Sequence, residues 1–344
     1  MNTPIDVTVV LLDGGWISTS LGPIEVFHAA GRLWNGLQGE APEPRFRVRT
    51  ASIGGKAVTT AYGIGLTPEH AIEDIERTDL VFIGAPAPAL LETFDHEPTL
   101  LSWLRGLGAR GTPIAGVCSG VACLAAAGLL DGRRATTHWA LAEGFRQRFP
   151  AVKWEPDQFV TEDHGLYCGG GVYASIDLSL YLVERFCGRD VALQASRALL
   201  VSMPRLGQSG YGTVPISRPH SDERIREAEA CLRQEFHTAV SIEALATRLG
   251  MSPRNLMRRF RDATGRLPGE YLQQLRIMAA RELLERAALP VQSVAARVGY
   301  EDVAHFRSLF KRHTGLTPAD YRRKFGAMLV ARDEPEVARR RALA

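Results

Sequence analysis

Two stretches in the C-terminal part of the chain share one spacing of apolar residues, glycines and a proline. The first copy holds Ile242, Leu245, Gly250, Phe260, Gly265, Pro268 and Tyr271, and the second holds Val291, Val294, Gly299, Phe310, Gly315, Pro318 and Tyr321. The offset is 49 residues up to the first glycine and 50 residues beyond it, so the second copy carries one inserted residue. Such repetition indicates one supersecondary unit used twice.

Each copy is predicted to form a helix, a glycine turn and a second helix. In the first copy, Gly250 supplies the left-handed residue that ends a helix, Ser252 is the N-cap of the next helix, and Pro253 fits its first position. A long helix over residues 268–287 joins the copies and is expected to fix their spacing. Since a helix-turn-helix places its second helix in a DNA major groove, two copies suggest that one chain reads two grooves.

Charge separates the same two parts of the chain. Residues 221–326 hold 19 Lys and Arg against 13 Asp and Glu, whereas residues 1–220 hold 18 against 22. Basic helices bind DNA phosphates by releasing counterions. A solvated helical face is the other explanation of such a charge run, but the duplicated motif beneath it favours DNA binding.

Residues 224–325 resemble the DNA-binding domain of the AraC/XylS transcription regulators. The segments LGMSPRNLMRRFRDATGRLPGEYLQQLRIMAARELL and AARVGYEDVAHFRSLFKRHTGLTPADYRRKF carry the resemblance. It implies base reading by the second helix of each unit, on major-groove faces about 34 Å apart. The implied DNA-contacting positions are Arg254, Asn255, Met257, Arg258, Val303, Ala304, His305, Arg307, Ser308 and Lys311. Because that family often has Arg at the position of Ser308, the second unit is expected to serve phosphate positioning more than base choice.

The N-terminal half alternates apolar, β-branched runs with helical stretches. Strands are predicted at residues 5–12, 46–51, 79–83 and 113–117, and helices at 23–34, 68–75, 98–107 and 120–127. This alternation predicts a flavodoxin-like α/β domain, with a doubly wound parallel sheet and helices on both faces. The whole chain is thus expected to join an α/β domain to an all-α double helix-turn-helix domain. Ligands of doubly wound sheets bind beyond the carboxyl ends of the strands.

Composition sets the predicted domain boundaries and compartment. We expect an α/β domain over residues 1–202, a linker in the Pro- and Gly-rich segment 203–220, a DNA-binding domain over 221–326 and a disordered tail over 327–344. Neither a cationic leader with an apolar stretch nor a bilayer-spanning apolar run is found in the sequence. Five cysteines without CxxC or zinc-type spacing fit the cytoplasm and predict neither disulfides nor a metal site. No cofactor is expected.

The sharpest chemical feature of this half is the segment GVCSG at residues 116–120, where a buried strand ends and a helix begins. It is the cysteine counterpart of the G-x-S-x-G nucleophile elbow, whose small residues permit a strained turn. The helix N-terminus is expected to lower the thiol pKa of Cys118. Glu25 and His138 are predicted to reach the same rim, although each of the three taken singly is also explained as an ordinary structural residue.

Residues 5–197 resemble the PfpI-type, class I glutamine amidotransferase-like superfamily, which includes an intracellular peptidase and an isonitrile hydratase. The segments CSGVACLAAAGLLDGRRATTHW and GGGVYASIDLSLYLVERFCG carry this resemblance. Its members gather the elbow cysteine, an acidic residue and often a histidine in one pocket, and Cys118, Glu25 and His138 match those positions. Fusion of this domain to an AraC-type domain resembles the GlxA-type regulators, which implies a small-metabolite sensor that controls an operon.

Two functional hypotheses remain open at this point. The favoured one is a ligand-responsive transcription factor without turnover, and the alternative is a cysteine-dependent amidase, hydratase or deglycase-like enzyme that also binds DNA. Peptidase activity is not expected, because Ser119 stands where the peptidase-like branch has a histidine. Related regulators respond to amines, amino acids or betaine-like compounds, and Trp16, Trp139 and Tyr173 are candidate walls for such ligands. The resemblance also implies a homodimer bound to double-stranded DNA, with RNA polymerase as a further candidate partner and no membrane.

Overall fold

A computed structural model describes residues 3–87, 98–201, 208, 220–286 and 289–325. The chain divides into two compact units, with the boundary between residues 212 and 213. Of the predicted linker at 203–220, only Gln208 and His220 belong to the described residues. The predicted tail at 327–344 lies outside them.

The N-terminal unit is built on a seven-stranded, mostly parallel sheet. The described strands of the whole unit, in this sheet and in two small ones, are β1 (Ile5–Val10), β2 (Phe46–Ser52), β3 (Val58–Thr59), β4 (Gly65–Leu66), β5 (His70–Ala71), β6 (Leu80–Ile83), β7 (Ile114–Val117), β8 (Arg134–Ala135), β9 (Lys153–Trp154), β10 (Val160–Asp163) and β11 (Leu166–Gly169). The large sheet has the order β10-β11-β7-β6-β1-β2-β5, while β3 pairs with β4 and β8 with β9. Only the β10–β11 pair of the large sheet is antiparallel, so the predicted parallel sheet is confirmed with one antiparallel edge.

Helices cover both faces of this sheet, as the alternating pattern predicted. They are α1 (Ser18–Ala29), α2 (Leu33–Leu37), α3 (Pro98–Ala109), α4 (Val121–Ala126), α5 (Ala142–Arg148), α6 (Ala174–Cys187) and α7 (Arg189–Ala198). Successive side chains of a strand point to opposite faces. Accordingly, Val81 and Ile83 of β6 pack with α3 and α4, whereas Leu80 and Phe82 pack with α1 and α6. Burial on both faces explains why β6 and β7 have continuous apolar sequences.

Two predicted elements of this unit differ from the structure. The segment 68–75 was expected to be helical, but it contains the edge strand β5 followed by a 3₁₀ turn at Ile72–Asp74. The reason is tertiary, because His70 and Ala71 pair with the end of β2. The helix predicted at 23–34 begins earlier, at Ser18, and ends at Ala29. Pro23 therefore lies inside α1 and does not mark its start.

The C-terminal unit contains the predicted duplication. Its described helices are α8 (Glu223–Glu235), α9 (Ile242–Arg248), α10 (Pro253–Thr264), α11 (Pro268–Arg286), α12 (Val291–Arg297), α13 (Val303–Thr314) and α14 (Pro318–Phe325). The Ser252 side chain accepts a hydrogen bond from the backbone N–H of Asn255 and caps α10, and the Asp302 carboxylate caps α13 in the same way. Gly250 and Gly299 take the left-handed conformation that each turn needs, with φ of 65° and 86°.

Each helix-turn-helix has its own small core, and matching aromatic pairs anchor the two cores. The rings of Phe260 and Tyr271 lie 5.3 Å apart at 78°, and those of Phe310 and Tyr321 lie 5.3 Å apart at 86°. Helix α11 contributes Tyr271 to the first core and Ile277, Ala280 and Leu284 to the second. It therefore joins the two copies, as the sequence predicted. Among the residues described in either unit, no helix is long and apolar enough to cross a membrane.

Candidate elbow pocket and DNA-reading helices

The elbow predicted from the sequence is present at the carboxyl end of β7. Cys118 has a φ of 56°, a left-handed conformation that costs energy in a residue with a side chain. A 3₁₀ turn at Cys118–Gly120 then leads into α4. Gly120 is required because a Cβ atom there would overlap the backbone oxygen of Gly84 at the end of β6. The strained turn is thus packed directly against the neighbouring strand.

Hydrogen bonds fix this turn from two sides. The Thr137 hydroxyl donates to the carbonyl oxygen of Cys118 at 2.8 Å, and the Ser119 hydroxyl donates to the carbonyl oxygen of Pro86 at 2.9 Å. Thr137 is fully buried and Ser119 nearly so. Because the surrounding structure determines the turn so fully, the strain at Cys118 can persist in the folded protein.

The expected lowering of the Cys118 pKa is wrong. Burial raises the pKa of this thiol to about 11, and the opposing hydrogen bonds with Ser119 do not compensate for the loss of water. Cys118 has only 7% of its surface exposed. The thiol is therefore protonated at neutral pH, and the reactive thiolate is a minor species.

Glu25 was predicted to reach the rim of the elbow pocket. It is exposed to solvent on α1, and the buried side chains at the start of that helix are Thr19 and Ser20. The Thr19 hydroxyl accepts a hydrogen bond from the backbone N–H of Ala85 at 2.9 Å, just beyond β6. The side chains that α1 presents toward the strand next to the elbow are therefore hydroxyls, and the expected carboxylate points to solvent.

His138 lies beside the elbow segment through its neighbour Thr137. Its ring is half-buried, and Nδ1 accepts a hydrogen bond from the backbone N–H of Ala140 at 3.1 Å. Burial lowers the pKa of His138, so the ring is neutral at pH 7. The structure thus brings Cys118 together with Thr137, the residue before His138, and it leaves the side chain of Glu25 exposed to solvent.

The three aromatic residues proposed as ligand walls have separate surroundings. Trp16 packs edge-on against Tyr62, with ring centroids 6.3 Å apart, whereas Trp139 packs against His138 at 5.2 Å. Tyr173 is 68% exposed. A cavity of about 10 Å³ lies beyond β1 and β6 and is lined by Trp16 together with Leu11, Leu12, Gly15, Ile17, Ser20, Val58, Thr60, Leu66, Gly84 and Ala85. This volume is about that of one water molecule.

Gln208 belongs to this site although it lies in the predicted linker. Its side-chain amide donates to the carbonyl oxygens of Thr137 and Gln158, each at 2.8 Å, and only 2% of the residue is exposed. A Cβ atom at Gly170 would overlap this amide, so the glycine makes room for it. Thr137 therefore touches the elbow with its hydroxyl and Gln208 with its carbonyl. A single glutamine in a Pro- and Gly-rich segment gives no sequence signal of such a contact.

Helix α10 presents most of the side chains expected to contact DNA in the first copy. Arg254, Met257 and Arg258 are exposed, and Asn255 is half-buried. One amino group of Arg258 donates to the Asn255 side-chain oxygen at 3.1 Å, and the other lies 3.4 Å from the Asp262 carboxylate. Arg258 and Asn255 therefore form one pre-arranged polar pair.

Arg259 of the same helix has a different role. It makes two hydrogen bonds with the carboxylate of Asp222, at 2.7 and 3.0 Å, and Asp222 also caps α8. Arg259 thus ties the start of α8 to α10.

Helix α13 presents the corresponding face of the second copy. Five of the six expected positions are exposed, namely Ala304, His305, Arg307, Ser308 and Lys311. Val303 is only partly exposed and packs against the core of this copy. It is therefore less available for contact than the sequence prediction assumed.

Comparison with known proteins identifies both units. The DJ-1/PfpI family matches residues 9–185, and a helix-turn-helix domain family matches residues 245–324. The transcriptional regulator GlxA of Rhizobium meliloti is 30% identical over 296 residues, 83% of this chain and 88% of the relative. The transcriptional regulator CdhR of Pseudomonas aeruginosa is 27% identical over 319 residues, 92% of this chain and 91% of the relative.

A solved structure supports the fold of the N-terminal unit. DJ-1beta of Drosophila melanogaster aligns with a TM-score of 0.50 at 18% identity, over 58% of this chain and 100% of that chain. At this identity the likeness concerns the fold alone. The sequence matches go further: the chain belongs to the DJ-1/PfpI family, in the group that joins this domain to an AraC-type helix-turn-helix domain, and it is a DNA-binding transcriptional regulator.

Proposed function

We propose that this regulator senses a small metabolite at the elbow and does not convert it. The observation that carries the proposal is the combination found at Cys118, whose strained backbone is kept while its thiol is buried with a pKa of about 11. A catalytic cysteine needs an accessible thiolate. A strained turn with a protonated thiol is better suited to binding and to switching.

The alternative of a cysteine-dependent enzyme has less support. It requires a base or an acid beside the thiol, and Glu25 is exposed on α1. His138 accepts a hydrogen bond from Ala140 through Nδ1, which fixes its ring toward its own segment. We therefore treat the DJ-1/PfpI unit as a binding domain whose output is DNA occupancy.

We infer that the effector carries an amine or quaternary ammonium group, as the sequence resemblance suggested. The supporting observation is the edge-on pair of Trp16 and Tyr62, which are 48% and 49% exposed beyond the carboxyl end of β1. Exposed aromatic faces attract cations through their π electrons. The small cavity beneath this pair implies that the ligand must displace nearby side chains to enter.

We propose that each DNA-reading helix contacts one groove of a bipartite site. The supporting observations are the outward face of α10, with Arg254, Asn255, Met257 and Arg258, and that of α13, with Ala304, His305, Arg307, Ser308 and Lys311 beside the partly exposed Val303. We expect a homodimer in the cytoplasm that acts with RNA polymerase at a promoter. Ligand binding would then shift an existing equilibrium between arrangements with different DNA affinity.

A thermal-shift screen of the full chain tests the sensor proposal. The probes are glycine betaine, primary amines and amino acids, and a binding probe is expected to raise the unfolding temperature by an amount that grows with the logarithm of its concentration above the Kd. Cys118→Ala should reduce that rise, whereas Cys187→Ala, a change at a half-buried cysteine of the same unit, should not. Conversion of a probe to product by the wild type, with loss of turnover in Cys118→Ala, would contradict the proposal.

A further inference from the structure

Arg276 connects the two helix-turn-helix copies, although it belongs to neither DNA-reading helix. It lies on α11, and its Nε and Nη2 atoms donate to the carbonyl oxygens of Phe236 and Thr238, each at 2.7 Å. These carbonyls follow α8, whose side chains Ile225, Ala228 and Leu232 pack in the core of the first copy. The guanidinium therefore binds the backbone at the end of α8 through two charge-assisted hydrogen bonds.

The other side of the same guanidinium faces the second copy. Its central carbon lies 5.1 Å from the centre of the Tyr300 ring, in a cation–π arrangement. Gly299, with a φ of 86°, permits this approach, because a Cβ atom there would lie 3.0 Å from the Arg276 guanidinium and from the His237 carbonyl oxygen. The turn of the second copy is thus packed on Arg276 and on the backbone that follows α8.

Tyr300 continues the connection to the second DNA-reading helix. Its ring lies 6.1 Å from that of His305 and 5.5 Å from that of Phe306, both in the first turn of α13. Tyr300 also lies in the turn where the copies differ in length. The first copy has Gly250-Met251-Ser252, and the second has Gly299-Tyr300-Glu301-Asp302. The inserted residue therefore falls in the segment that meets Arg276.

We propose that Arg276 is a positioning residue that sets the distance and the rotation between the two DNA-reading helices. It acts through the carbonyls of Phe236 and Thr238 on one side and through Tyr300 on the other. One added base pair changes the separation of two DNA subsites by about 3.4 Å and rotates them by about 35°. A rigid connection makes the protein sensitive to such a change, and a loose one makes it tolerant.

The test measures how strictly the protein requires one subsite spacing. A bipartite DNA site is first selected from a random oligonucleotide pool with the wild-type full chain. Affinity is then measured for that site, for versions with one base pair added or removed between the subsites, and for the first subsite alone. The wild type should lose about tenfold or more in affinity when the spacing changes, comparable to the cost of a mismatched base pair.

Arg276→Met removes the guanidinium and keeps an aliphatic stem. We expect it to bind the selected site more weakly, to lose less than about threefold on a change of spacing, and to bind the first subsite alone as the wild type does. Arg276→Lys should behave in the same way, because a single ammonium cannot replace the two-pronged contact. Tyr300→Leu should also relax the spacing requirement, because it removes the aromatic ring on the other side of the Arg276 guanidinium.

Ile277→Val is the matched control, because it shortens a buried side chain next to Arg276 on α11. It leaves the contacts of Arg276 with the backbone after α8 and with Tyr300 in place. It should lower thermal stability and keep the wild-type spacing requirement. A wild-type spacing penalty in both Arg276 variants would overturn the proposal. Equal relaxation in Ile277→Val would also overturn it, because the effect would then come from general loosening of the unit.

Discussion

At the scale of single residues, burial decides the chemistry of the elbow. The sequence correctly places a strained cysteine between β7 and α4, because the pattern of small residues is local. It misjudges the thiol, since the pKa of Cys118 depends on how much water the surrounding structure removes. It also misjudges Glu25, because one turn of α1 decides whether a side chain faces the sheet or the solvent.

The raised pKa of Cys118 predicts its reactivity with alkylating reagents. Because the thiolate is the nucleophile, the iodoacetamide rate at Cys118 should rise with pH through 9 toward 11 and show no plateau near pH 7. The same shift lowers stability as pH rises, since the unfolded chain releases this proton at the ordinary pKa of 9 and the folded chain at about 11. Peptide mass spectrometry measures the rate, with Cys118→Ala to assign the peptide. A plateau at neutral pH would show an activated thiol.

Arg258 and Lys311 are predicted to contribute differently to DNA binding. Arg258→Ala should weaken binding to the selected site by about 1–3 kcal/mol and relax the base preference at one position. Lys311→Ala should weaken binding to all sequences alike. It should also reduce the slope of log affinity against log salt concentration by about one. Fluorescence anisotropy over a range of salt concentrations separates the two effects. Arg226→Ala, an exposed arginine on α8, is the control and should change neither.

At the scale of elements, an acidic residue links helix α10 to the start of α8. Asp222 caps α8 and pairs with Arg259 of α10. Burial tends to raise the pKa of Asp222, but hydrogen bonds from Arg259 and from the backbone of Ile225 hold it below its usual value. The ion pair with Arg259 was not predictable from the sequence, because it spans 37 residues, whereas the cap is a local contact with the backbone N–H of Ile225.

Asp222→Asn and Asp222→Ala separate the two roles of this residue. Asparagine caps a helix about as well as aspartate, so Asp222→Asn should lose only the ion pair, and Asp222→Ala should lose about 1 kcal/mol more. Because the folded pKa is lowered, the ion-pair contribution is present above the ordinary pKa of 3.8 and is lost as pH falls below it. Urea unfolding followed by circular dichroism at several pH values measures both. Equal stability of the two variants would contradict the capping role.

At the scale of the whole molecule, the duplication and the alternation of strands and helices were predictable, because both can be recognised from residue patterns within short stretches of the sequence. The contacts of Gln208 and of β5 were not, because they join segments far apart in the chain. The N-terminal unit also holds all five tryptophans, at positions 16, 34, 103, 139 and 154. Tryptophan fluorescence therefore reports on that unit alone.

Gln208 is predicted to couple the elbow to the segment that leads to the DNA-binding unit. Gln208→Ala removes the hydrogen bond to the Thr137 carbonyl, so an effector should still shift the tryptophan unfolding transition but should no longer change DNA affinity. Gln158→Ala is the control, because Gln208 contacts only the backbone carbonyl of Gln158. Full effector response in Gln208→Ala would contradict the coupling.

The matching aromatic pairs, Phe260 with Tyr271 and Phe310 with Tyr321, give both copies the same packing between the outward helix and the helix that follows it. The outward residues of α10 and of α13 are supported by two equivalent cores, which Arg276 of α11 connects. We expect, as a consequence, that the base preference of one helix-turn-helix copy can be changed without changing that of the other. We therefore predict that grafting the exposed residues of α10 onto α13 gives a regulator that prefers a direct repeat of its own first subsite.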